Sequence, residues 1–299
     1  ERFGQPGAVR VEPVKAPAST LGFASTQSLG KLKGITQKVN PSRSESFSMQ
    51  RNTMKKVLSL SLLGLAVAAT SAQARDYEEI RIGVDVPYEP MEYRTPDGEL
   101  TGFDIDLGNA LCTEIGIECE WVVQGWDGII PGLLSRKYDA IMSSMTINEE
   151  RREQVLFSEP YFQPPSAWFA PEASELTEAT EASLDGLTIG VQRGTLQDNY
   201  VTDIFGDVAN VNRYATADDM VLDMEAQRLD ILFLDYPVGK STLLDSENRD
   251  YKVVGEMVTE PKEYFGDGFG IAFRQRDEAL AEQFNEALAT LQENGTYDE

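Results

Sequence analysis

The sequence predicts an α/β fold built as two lobes, with two crossing segments between them. Three observations carry this expectation. Strands alternate with helices from Ile80 to Met142, a second alternation runs from Leu187 to Asp235, and a last strand and helix, Phe269 to Asn294, bring the chain back. In open sheets of this kind a ligand lies beyond the carboxyl ends of the strands. Nothing repeats at the period of a solenoid.

The amino end reads as something other than domain. Residues 1–53 are basic and rich in Ser, Pro, Gly and Gln, with no sustained apolar period, which predicts an unstructured stretch. The chain begins at Glu1 rather than Met, and 1–53 are expected to be upstream sequence that the natural protein does not carry. Residues 54–74 read as a secretory signal peptide. Lys55 and Lys56 precede the apolar run Val57 to Ala69, and Ala72-Gln-Ala74 offers small residues for cleavage before Arg75. That run is shorter than the roughly 18 residues a membrane span needs. The expected location is the periplasm.

From Arg75 the elements follow one another closely. Ile80 to Val84 is a strand ending in Asp85-Val-Pro-Tyr88; Gly102-Phe-Asp-Ile-Asp-Leu107 opens a helix reaching Cys112 and Ile115. Cys119 to Val123 is the next strand, Trp126 and Asp127 begin a helix through Leu134, and Tyr138 to Met142 is the third strand. Ser143 and Ser144 follow it, and Thr146 or Asn148 reads as the N-cap of a helix opening with Glu149, Glu150 and Arg151. Hydroxyls, free amides and a guanidinium thus gather at one strand end. Such a grouping suits a carboxylate, which Arg151 can hold through two parallel charge-assisted hydrogen bonds.

The second alternation has the same logic. Pro164 and Pro165 read as a crossing and the acidic stretch from Pro171 to Ser183 as a surface connection. Leu187 to Gln192 is a strand, Arg193-Gly194-Thr195 a tight turn into a helix from Leu196 or Gln197, and Ala217 to Leu229 an amphipathic helix. Asp230 to Asp235 is a buried strand that stops at a carboxylate before Pro237 and Gly239 break it. The expected lobes are 75–163 with 262–299, and 164–261.

Composition excludes several chemistries. The chain has no His, which removes Ser-His-Asp and Cys-His catalysis and the commonest zinc ligand. Its two cysteines, Cys112 and Cys119, are too few for a structural zinc site; in an exported protein they are expected to form one disulfide worth about 2–3 kcal/mol. The 10 Lys and Arg and 3 Asp and Glu before residue 75 leave 16 against 47 after it, a net charge of −31. Such a surface does not attract nucleic acid or anionic lipid. No cofactor, no metal and no catalytic residue is expected.

Several motifs resemble those of the extracellular solute-binding proteins that serve amino-acid ABC transporters, and among them the lysine/arginine/ornithine- and histidine-binding proteins. They are Ile82-Gly-Val-Asp-Val-Pro-Tyr88, Gly102-Phe-Asp-Ile-Asp-Leu107, the Cys112 and Cys119 pair, Asp139-Ala-Ile-Met-Ser-Ser144 through Arg151, Gly190 to Thr195, Asp235, and Asn294-Gly-Thr-Tyr297. The resemblance covers 79–297 and implies a type II periplasmic-binding-protein fold closing on a free amino acid. The family usually continues beyond the residue matching Glu299, which implies a truncated final helix.

The resemblance also implies roles. Arg151 is expected to clamp the ligand α-carboxylate with the Thr146 amide and hydroxyl and the amides around Thr195 and Leu196. Asp235 is expected to face the α-ammonium together with the Ser144 hydroxyl and the Ser143 carbonyl. Tyr88 and Trp126 would flank the ligand side chain, where a guanidinium stacks on aromatic faces, and Asp85 and Gln197 would meet its polar end. The sequence departs from the family at Leu196, where several members have Thr, and at Arg193, a cation near a site for cations that is expected to point to solvent. The implied function is capture of a cationic L-amino acid, arginine before lysine, ornithine or histidine, by a monomer that delivers it to a membrane permease. Other functions on this fold are an exported cyclohexadienyl dehydratase-like enzyme or a ligand-presenting sensor protein; other ligands are glutamine, a polar amino acid or an opine.

Overall fold

The computed structural model describes residues 77–246 and 250–299. The segments read as upstream sequence and signal peptide, 1–53 and 54–74, lie outside the described residues. Among the described residues no helix is long and apolar enough to cross a membrane.

The first lobe begins with β1 (Glu79–Val84), whose Ile80, Ile82 and Val84 are fully buried. A two-stranded ribbon, β2 (Tyr93–Arg94) and β3 (Leu100–Thr101), leads to helix α1 (Phe103–Ile115), which stops at Gly116 in the left-handed region. The chain continues through β4 (Glu118–Val123), α2 (Ile129–Leu134), β5 (Ala140–Ile141), the one-turn α3 (Glu149–Arg152) and β6 (Leu156–Phe157). Cys112 of α1 and Cys119 of β4 are joined as a disulfide, with Cα atoms 6.1 Å apart.

The second lobe holds β7 (Ser166–Pro171), α4 (Glu181–Leu184), β8 (Thr188–Gln192), α5 (Leu196–Phe205), β9 (Asn210–Tyr214), α6 (Ala217–Glu225), β10 (Ile231–Asp235), α7 (Tyr236–Gly239) and β11 (Tyr251–Val258). After α8 (Lys262–Phe265) the chain returns to the first lobe with β12 (Ala272–Phe273) and α9 (Glu278–Asn294). Leu280, Phe284, Leu288 and Leu291 form one buried stripe of α9, which lies against α1. Each such side chain contributes about 1.5–3 kcal/mol by leaving water.

Each lobe has a five-stranded sheet, in the orders β4-β1-β5-β12-β6 and β11-β7-β10-β8-β9. In the first, β1 runs parallel to β4 and β5, and the returning β12 is antiparallel to β5 and β6. In the second, β10, β8 and β9 are parallel and β7 is antiparallel to β10. The carboxyl ends of β1, β5, β8 and β10 therefore deliver Asp85, Ser143, Gln192 and Asp235 toward one region.

Six strands were not expected: the two-residue β2, β3 and β6, and the longer β7, β9 and β11. β7 is buried along nearly its whole length and flanked by prolines, so its side chains show no period of two. β9 and β11 are edge strands in which only Val254 is fully buried, which leaves no apolar pattern. The expected helix 217–229 ends at Glu225, because Gln227 turns into the left-handed region at φ 57°. The strand expected at 269–273 shrinks to Ala272–Phe273, while Phe269 bridges Thr146 and Phe162. The strand stops at Asp235 as expected, and the chain passes directly into α7, with Pro237 tolerated in its first turn.

Candidate functional site

A cavity lies where these strand ends meet, lined by Asp85, Tyr88, Trp126, Ser143, Ser144, Thr146, Arg151, Thr195, Leu196, Gln197 and Asp235. Those are the eleven residues singled out from sequence, and Glu92 and Gln192 join them.

Arg151 supplies the positive side. Of the two candidate caps for α3 the structure uses Asn148, whose Oδ1 accepts the Arg151 amide at 2.9 Å. The guanidinium donates from Nη1 to the Thr146 carbonyl at 2.8 Å and sits 5.2 Å from the centre of the Trp126 ring. Burial lowers its pKa to about 10, opposed by the charges of Glu150 and Asp235, so it stays cationic at neutral pH.

Asp235 ends β10 and is almost fully buried. It accepts from Tyr88 Oη at 2.7 Å, Gln197 Nε2 at 2.8 Å and Ser166 Oγ at 3.3 Å. Burial raises its pKa to about 6, against the pull of those donors and of Arg151. Asp85 ends β1; its amide donates to Ser143 Oγ at 2.9 Å and its Oδ2 accepts from Gln192 Nε2 at 3.0 Å. Burial also raises Asp85 to about 6, opposed by the Gln192 hydrogen bond.

The remaining residues tie the two lobes together. Trp126 Nε1 donates to the Gly194 carbonyl at 3.0 Å, and Thr195 caps α5 by accepting the Asp198 amide at 3.1 Å. Gly194 takes φ 72°, the left-handed conformation the tight turn needs. Leu196 is buried as the first residue of α5. Arg193 points outward as expected, half-exposed and 3.1 Å from Asp127 of the other lobe.

Two placements differ from expectation. Gln197, expected beside Asp85, instead donates to Asp235, because the first turn of α5 faces the end of β10. Gln192 takes the place at Asp85: strand alternation turns it inward and Arg193 outward. The Ser143 and Ser144 hydroxyls, the latter expected at the ligand ammonium, bond instead to two buried carboxyls, Glu92, which also lines the cavity, and Asp104, which does not. Glu92 and Gln192 were missed by sequence reasoning. For Gln192 the signal was its place at a strand end; Glu92, in the loop after Tyr88, carried none.

The family model for bacterial extracellular solute-binding proteins, family 3, matches residues 80–299. The chain belongs to this family. The L-arginine-binding protein of Pseudomonas aeruginosa is 40% identical to this solute-binding protein over 246 residues, 82% of this chain and 94% of its own. The lysine/arginine/ornithine-binding periplasmic protein of Escherichia coli is 37% identical over 247 residues, again 82% of this chain and 94% of its own. Among solved structures, an ancestral arginine-binding protein bound to arginine superposes with a TM-score of 0.69 at 31% identity, over 74% of this chain and 95% of that one. The type II periplasmic-binding-protein fold expected from the motifs is thereby established.

Proposed function

We propose that this solute-binding protein captures a free cationic L-amino acid in the periplasm, arginine before lysine, ornithine or histidine, and delivers it as a monomer to an ABC transporter permease. One observation carries the reading: the cavity is lined by one buried guanidinium and two buried aspartates. An amino-acid carboxylate takes Arg151, with Thr146 and the amides near Thr195 and Leu196, and the ammonium takes Asp235. Asp85 is then left for a second positive charge, which Tyr88 and Trp126 would flank. The names of the matched relatives agree, since both bind arginine.

Closure would turn about the crossings near 163–166 and 259–263. A ligand favours the closed form only by its added contacts with the second lobe, at Thr195, Gln197 and Asp235. The protein acts as a binder in this reading, because Asp235 has an ammonium to pair with rather than a ring hydroxyl to protonate. Melting of the purified protein against all free amino acids, with calorimetry on the hits, tests it. Stabilisation by arginine is expected; stabilisation by glutamine or glutamate but by no cation would sink it, and turnover of prephenate or arogenate would favour a dehydratase.

The raised aspartates set a pH dependence. Both are ionised at pH 8 and take up protons as the pH falls through about 6, while arginine keeps its charges in that range. Arginine affinity is expected to fall by about tenfold for each carboxyl between pH 7 and pH 5. The ligand-free protein behaves in the opposite sense: carboxyls with raised pKa values cost stability as the pH rises from about 4 to about 6. Calorimetric affinities that stay constant from pH 7 to pH 5 would exclude this electrostatic arrangement.

A further inference from the structure

Packed against the wall residues Ser143 and Ser144 are two carboxyl groups to which the ligand reading gives no role, Glu92, which reaches the cavity edge at 1% exposure, and Asp104 at 0%. The fold brings them together through Gly102. At φ 117° this residue lets the start of α1 dock on the loop carbonyls of Pro90 and Met91, and a Cβ there would lie 2.4 Å from the Met91 oxygen. Asp104 is thereby held beside Glu92.

The donors do not suffice for two carboxylates. Ser143 Oγ donates to Glu92 Oε1 at 2.8 Å; the Ser144 amide and Tyr161 Oη donate to Asp104 Oδ2 at 2.6 and 2.9 Å. Ser144 Oγ lies 3.3 Å from Glu92 Oε2 and 3.3 Å from Asp104 Oδ2, yet it has one hydrogen and can serve only one of them. Asp104 Oδ1 is buried with no partner at all. Among the described residues no Lys or Arg contacts either group. The titratable groups facing them are Asp85 at the end of β1, Tyr88 in the next loop, Tyr161 after β6, and Tyr297 near α9. None offers a positive charge, and two uncompensated anions buried on either side of one hydroxyl are far costlier than one.

We propose that Glu92 and Asp104 hold a single proton between them, and that this unit is the positioning device for Ser143, Ser144 and, through the Asp85 amide, the cation end of the cavity. A proton on Glu92 removes one charge and adds a donor where Glu92 Oε2 and Asp104 Oδ2 flank the same hydroxyl, Ser144 Oγ. Asp104 keeps the amide and phenol donors that suit an anion. Burial, followed by the charge of Asp104, holds the Glu92 carboxyl well above the usual range. The inference leans on the amino-acid reading only in naming what the wall faces.

Infrared spectroscopy of the purified ligand-free protein at pH 8, where ordinary carboxyls are ionised, tests the proton directly. A protonated-carboxyl stretch is expected in the wild type and its loss in Glu92→Gln; a wild-type spectrum without that stretch overturns the proposal. Stability provides a second readout, since the chain has no His and both cysteines are bonded. The wild-type folding constant is expected to fall about tenfold per pH unit above pH 7 until the pair ionises, and Glu92→Gln to lack that slope. An equal slope in both proteins overturns it as well. If Glu92→Gln does not fold, the wild-type spectrum decides alone. Neither measurement contains an amino acid, so an error about the ligand would appear in the binding screen and leave these results untouched.

Discussion

Replacing Arg151 by methionine is expected to weaken every α-amino acid alike, by about 2–5 kcal/mol, or some 30- to 5,000-fold. Among the described residues, Arg151 is the only cation lining the cavity. Its position is fixed independently of ligand by the Asn148 cap, the Thr146 carbonyl and the Trp126 ring. A carboxylate brought into this buried place without it would lose its water and gain no countercharge. Methionine fills much of the same volume, and the ligand-free fold is expected to survive, since Arg151 makes one side-chain hydrogen bond to the backbone. Arg151→Lys keeps the charge but not the planar fork, and is expected to fall between the two. Titration calorimetry with arginine, lysine and glutamine measures all three. A loss confined to one ligand would show that Arg151 reads side chains rather than the common carboxylate.

The second large effect is selective. Asp85→Asn is expected to weaken arginine and lysine by about 2 kcal/mol or more while leaving neutral amino acids near their wild-type affinity. Asparagine keeps the shape and an oxygen to accept from Gln192 Nε2, and the backbone amide of residue 85 still meets Ser143 Oγ. Only the charge is removed. The same variant is expected to lose part of the decline in affinity between pH 7 and pH 5, since one of the two titrating aspartates is gone. Equal losses for arginine and glutamine would assign Asp85 to the ligand backbone and leave the preference for cations without a carrier.

These two residues differ in how openly the sequence displayed them. Asp85 sits directly after a strongly apolar strand, at the carboxyl end where open α/β sheets place ligands. Arg151 follows a Ser-Ser-x-Thr strand end and a helix-opening Asn148. Both positions follow from periodicity and capping rules that act over a few residues. Glu92 had no such marker: a Glu in a Pro-rich loop reads as solvated surface, and only the docking of α1 on that loop buries it. β9 and β11 stayed hidden for the related reason that an edge strand needs no apolar pattern of its own.

The sequence by itself determined the alternation of strands and helices, the family motifs, the absence of His and which residues stand at strand ends, because all of these reside in local order. It placed eleven residues in one site. Only the tertiary structure decided their partners. Tyr88 and Asp235 meet across 147 residues, Gln192 rather than Gln197 reaches Asp85, and the serine hydroxyls bond to a buried carboxyl pair. A strand's period of two separates its faces without saying which one meets the other lobe. Desolvation, which moves Asp85 and Asp235 to about pH 6, exists only after both lobes have excluded water from the same space.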